Sequence, residues 1–370
     1  MPRRMAMSAW RFVLALSTVF FLRASVADGE VLGTTGDAQT RVTQFDATTA
    51  PQTDFGQEFI PQTQAVPPAV ARARLDRLDD QNEVSAAGQG LAILFDPNLD
   101  GSGNPNDVGL DIGAFSDDLH TSWTVDASTR VKRALRLTAA DVGTDPLVGP
   151  LNMVRSRLFL SGLILITTED STRDLSDTFV NFSFSITRRQ EGRTDTIPLS
   201  GGVSLVGGAN GSIEMQNATG ALAGAFLPIL DLGGQIEGFP VIRAIAFSGV
   251  QLPYQYQVTL NTPFELELAV YADLASGPDG VGATAVFGIP PEGLAAVFAL
   301  VNGEEQGEQL AALLAPYVDA TGVSFLTSGP LSLFSLFPAC GGGALQSSIL
   351  LFAGGAALRP WRGRRRRRRA

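Results

Sequence analysis

Six of the oxygen-bearing side chains within one twelve-residue stretch, Asp96, Asn98, Asp100, Ser102, Asn104 and Asp107, have the spacing of a cation-binding loop. Oxygen ligands at mostly alternating positions suit a hard cation, because a curled loop turns them toward one centre and calcium takes about six to eight oxygens. Gly101 follows Asp100 where such a loop needs its sharp turn, and Asp107 stands where a longer, bidentate glutamate is usual. These six residues are the candidate calcium ligands. The same run of Asp, Asn, Gly and Pro also suits an ordinary β-turn, so the segment carries two readings. LAILF precedes it and VGLDIGAF follows, so the loop joins two strands rather than two helices.

Other chemistry is sparse. The chain has one histidine, His120, and one cysteine, Cys340. That rules out a zinc finger, a multi-histidine metal site and an intramolecular disulfide. His120 follows Asp117 and Asp118, but a Ser-His-Asp arrangement also needs a positioned nucleophile. The nearest approach to a Gly-x-Ser-x-Gly elbow, Gly202 to Gly207 around Ser204, is one residue too long. Glu169 with Asp170, and Glu265 with Glu267, are the carboxylate pairs available for glycosidase-type chemistry, which depends on their separation in the fold. The chain therefore reads as a non-enzyme with paired-carboxylate hydrolysis left open. Trp123 is either a sugar-stacking platform or a core residue.

The elements that must position these residues are mostly strands. With 17% charged and 45% hydrophobic residues the chain is globular. Residues 28–89 are poor in large apolar side chains and read as an extended N-terminal segment or linker, with a strand near Thr40–Phe45 and a short helix over 69–82. From residue 90 the period becomes two. Val180, Phe182, Phe184 and Ile186 alternate with Asn181, Ser183, Ser185 and Thr187. Tyr254, Tyr256, Val258 and Leu260 alternate with Gln255, Gln257, Thr259 and Asn261, and Phe264, Leu266, Leu268, Val270 and Ala272 oppose Glu265, Glu267 and Asp273. Such strands are apolar on one face and wet on the other. Ten or more of them, separated by Gly and Asn turns, predict a mainly β domain over 90–337, a large antiparallel β-sandwich or jelly roll. Helical spacing returns only over 292–318, read as a helical hairpin covering an open end or edge. No period of 20–50 residues repeats, which argues against a propeller or solenoid.

The two ends carry address information. Residues 1–27 read as a secretory signal: Arg3, Arg4 and Arg11, the apolar run Phe12–Leu22, then Ser25-Val26-Ala27 for signal peptidase, with Ala27 as the cleavage residue. Residues 338–370 hold a short motif, Cys340-Gly341-Gly342-Gly343, a hydrophobic stretch over 344–358 that reads as a transmembrane helix, and an arginine cluster over 359–369. Arginines after an apolar helix hold the tail in the cytoplasm. This order resembles the tripartite C-terminal sorting signals of bacterial surface proteins: the glycines are similar to the GlyGly-CTERM type and Cys340 to the MYXO-CTERM type. The plan is shared with PEP-CTERM proteins, although the Pro-Glu-Pro motif is missing. The resemblance implies removal of the tail by an intramembrane sorting protease, with Cys340 or Gly341, Gly342 and Gly343 marking the processing site. The loop at 96–107 likewise resembles the DxDxDG calcium loops of secreted proteins.

The ends also mask the charge of the body. Four arginines lie in the signal and eight in the tail, with no acids in either. That leaves 15 of the 27 basic groups against all 37 acids, a net charge of −22 for residues 28–339. Such a body repels nucleic acid and attracts divalent cations. The expected function is therefore a structural or adhesive role for an exported protein, on the cell surface, in the outer envelope or released. The alternatives are a calcium-dependent module binding surface polysaccharide and, third, a polysaccharide hydrolase.

Overall fold

The computed structural model describes residues 30–63, 69–96, 106–138, 151–288, 298–317 and 323–328. The expected signal peptide with Ala27, the motif Cys340–Gly343, the hydrophobic stretch and the arginine cluster all lie outside these residues, as do Asn98, Asp100, Ser102 and Asn104. The chain divides into two units, Met1–Gly329 and Pro330–Ala370, and every element below belongs to the first.

The alternation of residue types builds two seven-stranded antiparallel sheets. The first has the order β11 (Ile213–Gly220), β10 (Thr196–Gly207), β9 (Phe179–Gln190), β15 (Phe264–Ser276), β6 (Thr121–Arg136), β1 (Glu30–Asp46), β2 (Gln52–Thr63). The second has the order β12 (Ile229–Asp231), β13 (Val241–Ala246), β8 (Gly162–Thr168), β16 (Val281–Phe287), β5 (Asn106–Ser116), β4 (Val84–Asp96), β3 (Ala69–Leu78). The orders run in step: β2 with β3, β6 with β5, β15 with β16, β9 with β8 and β11 with β12 are consecutive in the chain. Each of these connections steps from one sheet to the other. The protein is thus mainly β and sandwich-like, as the alternation predicts. A smaller third sheet joins β14 (Val250–Thr259), β7 (Leu151–Leu160) and β17 (Ser324–Ser328).

The inner faces form one core. Val125, Val131, Phe182, Leu268 and Val270 of the first sheet meet Leu94, Leu110, Ile112, Ile164 and Phe287 of the second, all essentially inaccessible to water. Phe182 stacks on Phe287 across the sheets with centroids 3.7 Å apart and planes 11° from parallel, and Phe247 packs against both. Trp123 belongs to this core at 1% exposure. A Cβ on Gly88 would come within 2.8 Å of its ring, so the glycine makes room for the indole.

The described residues of the segment 28–89 form strands rather than a linker. They supply β1, β2, β3 and the start of β4, which complete one side of both sheets. Their core contribution comes from small side chains: Ala38, Val42, Ala69, Ala71, Ala73 and Ala86 are buried. A shortage of large apolar residues therefore did not mean exposure. The helix expected over 69–82 is strand β3, paired with β4 from Ala69 opposite Leu94 onward. Ala69, Ala71 and Ala73 face inward while Arg72 and Arg74 face water, and this two-residue period outweighs alanine's helix propensity. The side of the sandwich is closed where the Arg74 backbone amide donates to Asp54 Oδ2 of β2 at 2.7 Å, which covers strand edges that would otherwise invite association.

The late helical region is present as residues 298–302 and helix α1 (Glu304–Leu314). It covers a face, not an edge or open end. Phe298, Leu310 and Leu314 pack with Ile236 and Phe239 onto Phe115, Leu163, Leu165 and Val286, which are the outward residues of the second sheet. The ring centroids of Phe115, Phe239 and Phe298 lie 4.8 to 5.8 Å apart. Among the described residues no helix is long and apolar enough to cross a membrane.

Because the Phe182–Phe287 stack joins the two sheets at their centre, Phe182→Ala should lower unfolding free energy by ~3–5 kcal/mol, read as an earlier denaturant midpoint at unchanged slope. A loss below ~1 kcal/mol would show that the sheets are held elsewhere.

Candidate functional site

Among the described residues, one outer face is covered and the other is open. The second sheet carries the helical layer, whereas the outward residues of the first sheet are polar and accessible. Register aligns them in rows. Gln57, Gln39, Ser128, Tyr271, Ser183 and Gly202 follow one another across six strands. Beside this row run Asp37, Arg130, Ala269, Ser185 and Ser200, and on its other side Arg41, Asp126, Asp273, Asn181 and Ser204. The small side chains in mid-sheet leave a depression of about 400 Å³, bounded by Tyr271, Arg130 and Asp37 and floored by Ser128, Ser183 and Ser185. Tyr271 is 42% exposed, with only serines directly opposite it on both neighbouring strands. At the margin, Phe55 and Phe59 of β2 are 55% and 65% exposed.

The charges on this face are matched. Glu267 is held by Arg189 at 2.8 Å, with Arg130 at 3.9 Å, and Glu265 lies 3.6 Å from Lys132. Arg41 pairs with Asp126 at 2.9 Å, and Asn181 Nδ2 donates to Asp273 Oδ2 at 3.1 Å. Partial burial raises the Asp37 carboxyl pKa; Arg130 pulls it back and Glu267 pushes it further up. Asp273 is also raised, by burial first and by Asp126, against the Asn181 hydrogen bond. Burial, with the carboxylates Asp273 and Asp126, pushes the Tyr271 hydroxyl up to about 12, so it remains a proton donor at neutral pH. Aligned hydroxyls, amides and paired ions around one exposed ring can bind a polymer that offers hydroxyl edges and apolar C–H faces.

The structure places the residues singled out in the sequence as follows. Asp96 pairs across the β4–β5 hairpin with Asn106. Asp107 is 1% exposed, and its carboxylate accepts from Arg133 Nη2. The last position of the expected calcium loop is therefore already paired with a guanidinium through one carboxylate oxygen. Among the described residues no cluster of three or more His, Cys, Asp or Glu is arranged to hold a metal. His120 is exposed; its backbone amide donates to Asp118 Oδ1 at 2.7 Å, while Asp118 Oδ2 accepts from Arg77. Glu265 and Glu267 are neighbours on one strand face, each matched to cations, rather than two carboxylates across a groove. Glu169 lies at the loop end of the sandwich, its pKa raised by burial and by Asp117 and Asp279. Asp170 instead accepts from the Thr172 amide and hydroxyl, which lowers its pKa.

Sequence reasoning missed Tyr271. The signal was present: within Phe264–Asp273 it is the aromatic residue that falls on the wet side of the alternation. No protein-family model matches the chain, and no curated protein sequence matches it.

Away from the open face, Asp111 of β5 is buried at 1% exposure and its Oδ1 has no hydrogen-bond partner. Burial raises its pKa to about 7, against roughly 3.9 in an unfolded chain. The folded state thus holds a proton that the unfolded state has released. The resulting destabilisation is absent below about pH 4, grows with rising pH, and is complete above about 7. Asp111→Asn should therefore raise the melting temperature at pH 8 and change it little at pH 4; equal effects at both pH values would contradict this.

Proposed function

We propose that the chain is an exported surface protein with an adhesive role, and that the outer face of the first sheet binds a polysaccharide. The observation that carries the binding role is the row Gln39–Ser128–Tyr271–Ser183 with its depression of about 400 Å³. Short hydroxyl and amide groups donate to and accept from sugar hydroxyls, and the Tyr271 ring offers its electron-rich face to the C–H side of a pyranose. A seven-stranded face gives room for several sugar units side by side. The asymmetry of the sandwich supports the same reading, since the opposite outer face is filled by the helical layer. The in-step strand orders support a jelly-roll form of sandwich.

The address rests on the ends of the sequence: a signal peptide cut after Ala27, and a tail removed near Cys340–Gly343 by a sorting protease. In this reading the protein is no enzyme, and recognition does not pass through calcium. Arg133 already neutralises Asp107, and the trough contacts its ligand directly.

Binding of the full chain to surface polysaccharide of the producing cell tests the site. Tyr271→Ala should weaken it about tenfold, or ~1.4 kcal/mol, with an unchanged melting temperature, and Ser183→Trp should block it by filling the depression. Chelator should leave binding intact. Binding lost in chelator and untouched by either substitution would transfer the site to the 96–107 loop; no binding at all would remove the glycan reading. For the address, a mass spectrum of the surface form should lack Arg364–Arg369, and a spectrum that retains them contradicts processing.

A further inference from the structure

The inner face of β9 changes character at its end. Val180, Phe182, Phe184 and Ile186 give way to Arg188 and Gln190, both still buried, at 3% and 5% exposure. Gln190 is fully used: its Nε2 donates to the Thr259 and Thr262 carbonyls at 3.2 Å, and its Oε1 accepts from the Thr259 amide at 2.9 Å. These bonds dock β14, at the margin of the third sheet, onto the end of β9. Arg188 has no such arrangement. Its Nε and Nη1 are shielded from water and have no acceptor among the described residues. A guanidinium in that state is costly, because only the Coulombic pull of Asp195 offsets the desolvation of these nitrogens. Burial and the nearby Arg193 charge accordingly lower its pKa.

Arg188 lines a pocket of about 220 Å³, with Thr196, Pro198, Met153 and the β14 residues Gln255, Tyr256 and Gln257. Thr196 sits directly opposite Arg188 on β10. Tyr256 is part of the same lining, although its hydroxyl is itself shielded from water. The acid nearest in charge, Asp195, pairs with Arg189 at 3.5 Å, and Arg189 points to the opposite face of the sheet, toward Glu267. At roughly 30 Å³ per water, the space admits a tetrahedral oxyanion or a carboxylate with several waters. Arg188 borders this space as a permanently charged guanidinium with no carboxylate paired to it among the described residues, which matches such a group.

We propose that this pocket is an oxyanion site in which Arg188 takes a carboxylate, phosphate or sulfate group. It lies on the inner face of the first sheet, and so is independent of the polysaccharide face.

The test titrates the full chain with sodium phosphate, sulfate and acetate, each against chloride of matched ionic strength. The expected result is a saturable rise in melting temperature of ~2 °C or more with at least one of the three, confirmed by calorimetric binding of the same ion. The ion that saturates at the lowest concentration identifies the group. Arg188→Met, which keeps the apolar stem, should abolish both signals. A rise of equal size in Arg188→Met, or no rise with any of the three ions, overturns the proposal. Should Arg188→Met fail to fold, Arg188→Lys decides it: keeping the charge while losing the fork must weaken binding about tenfold or more, and unchanged affinity overturns the site.

Discussion

The two-residue period of β9 and β15 is the constraint on which the rest depends. Once Phe182, Leu266, Leu268 and Val270 are committed to the space between the sheets, their chain neighbours Ser183, Glu267, Ala269 and Tyr271 must face outward, because a strand offers only two directions. The Phe182–Phe287 stack locks that choice, since a slip of one residue would put Ser183 in the core and a phenyl ring in water. The composition of the open face is therefore set by the requirements of the core. What varies freely is which polar residues stand there, and here they are serines flanking a tyrosine.

The two sheets use their outer faces differently. On the second, Phe115, Leu163, Leu165 and Val286 make the outward residues as apolar as the inward ones, which a sheet tolerates only when another layer covers it. The helical segment, with Phe239 and Ile236 from the β12–β13 loop, is that layer. Asp111 lies on the same sheet and retains a buried carboxylate whose cost grows with pH. On the first sheet, every carboxylate of the central rows has a cation or amide beside it, so the face is polar without carrying a strong field of one sign. Such a surface suits hydroxyl-bearing ligands better than highly charged ones.

The sequence made the alternating strands of the centre legible, because Phe182/Ser183 and Leu268/Glu267 contrast strongly in polarity. It concealed the margins. In β1 the sequence marks only the part near Thr40–Phe45, and in β3 the inward residues Ala69, Ala71 and Ala73 are too small to register as a core pattern, so the rest of this segment reads as linker and helix. The run 155–168 breaks at Ser161 between β7 and β8, which lie in different sheets, a step that no periodicity reveals. Asp107 showed the same limit: its place in an Asp/Asn-rich loop suggested a cation ligand, whereas the fold buries it against Arg133, 26 residues away in the chain. Tyr271 was legible in principle as an aromatic out of phase with its strand.

The central claim is that the open face of the first sheet is the ligand-binding surface. Hydroxyl-radical footprinting of the full chain, with and without the producing cell's surface polysaccharide, addresses it directly. The account predicts protection of Tyr271, at the centre of the trough, with Phe226 on the distant β11–β12 loop unchanged as an exposed control. Protection confined to other surfaces, with Tyr271 oxidised equally in both samples, would contradict it.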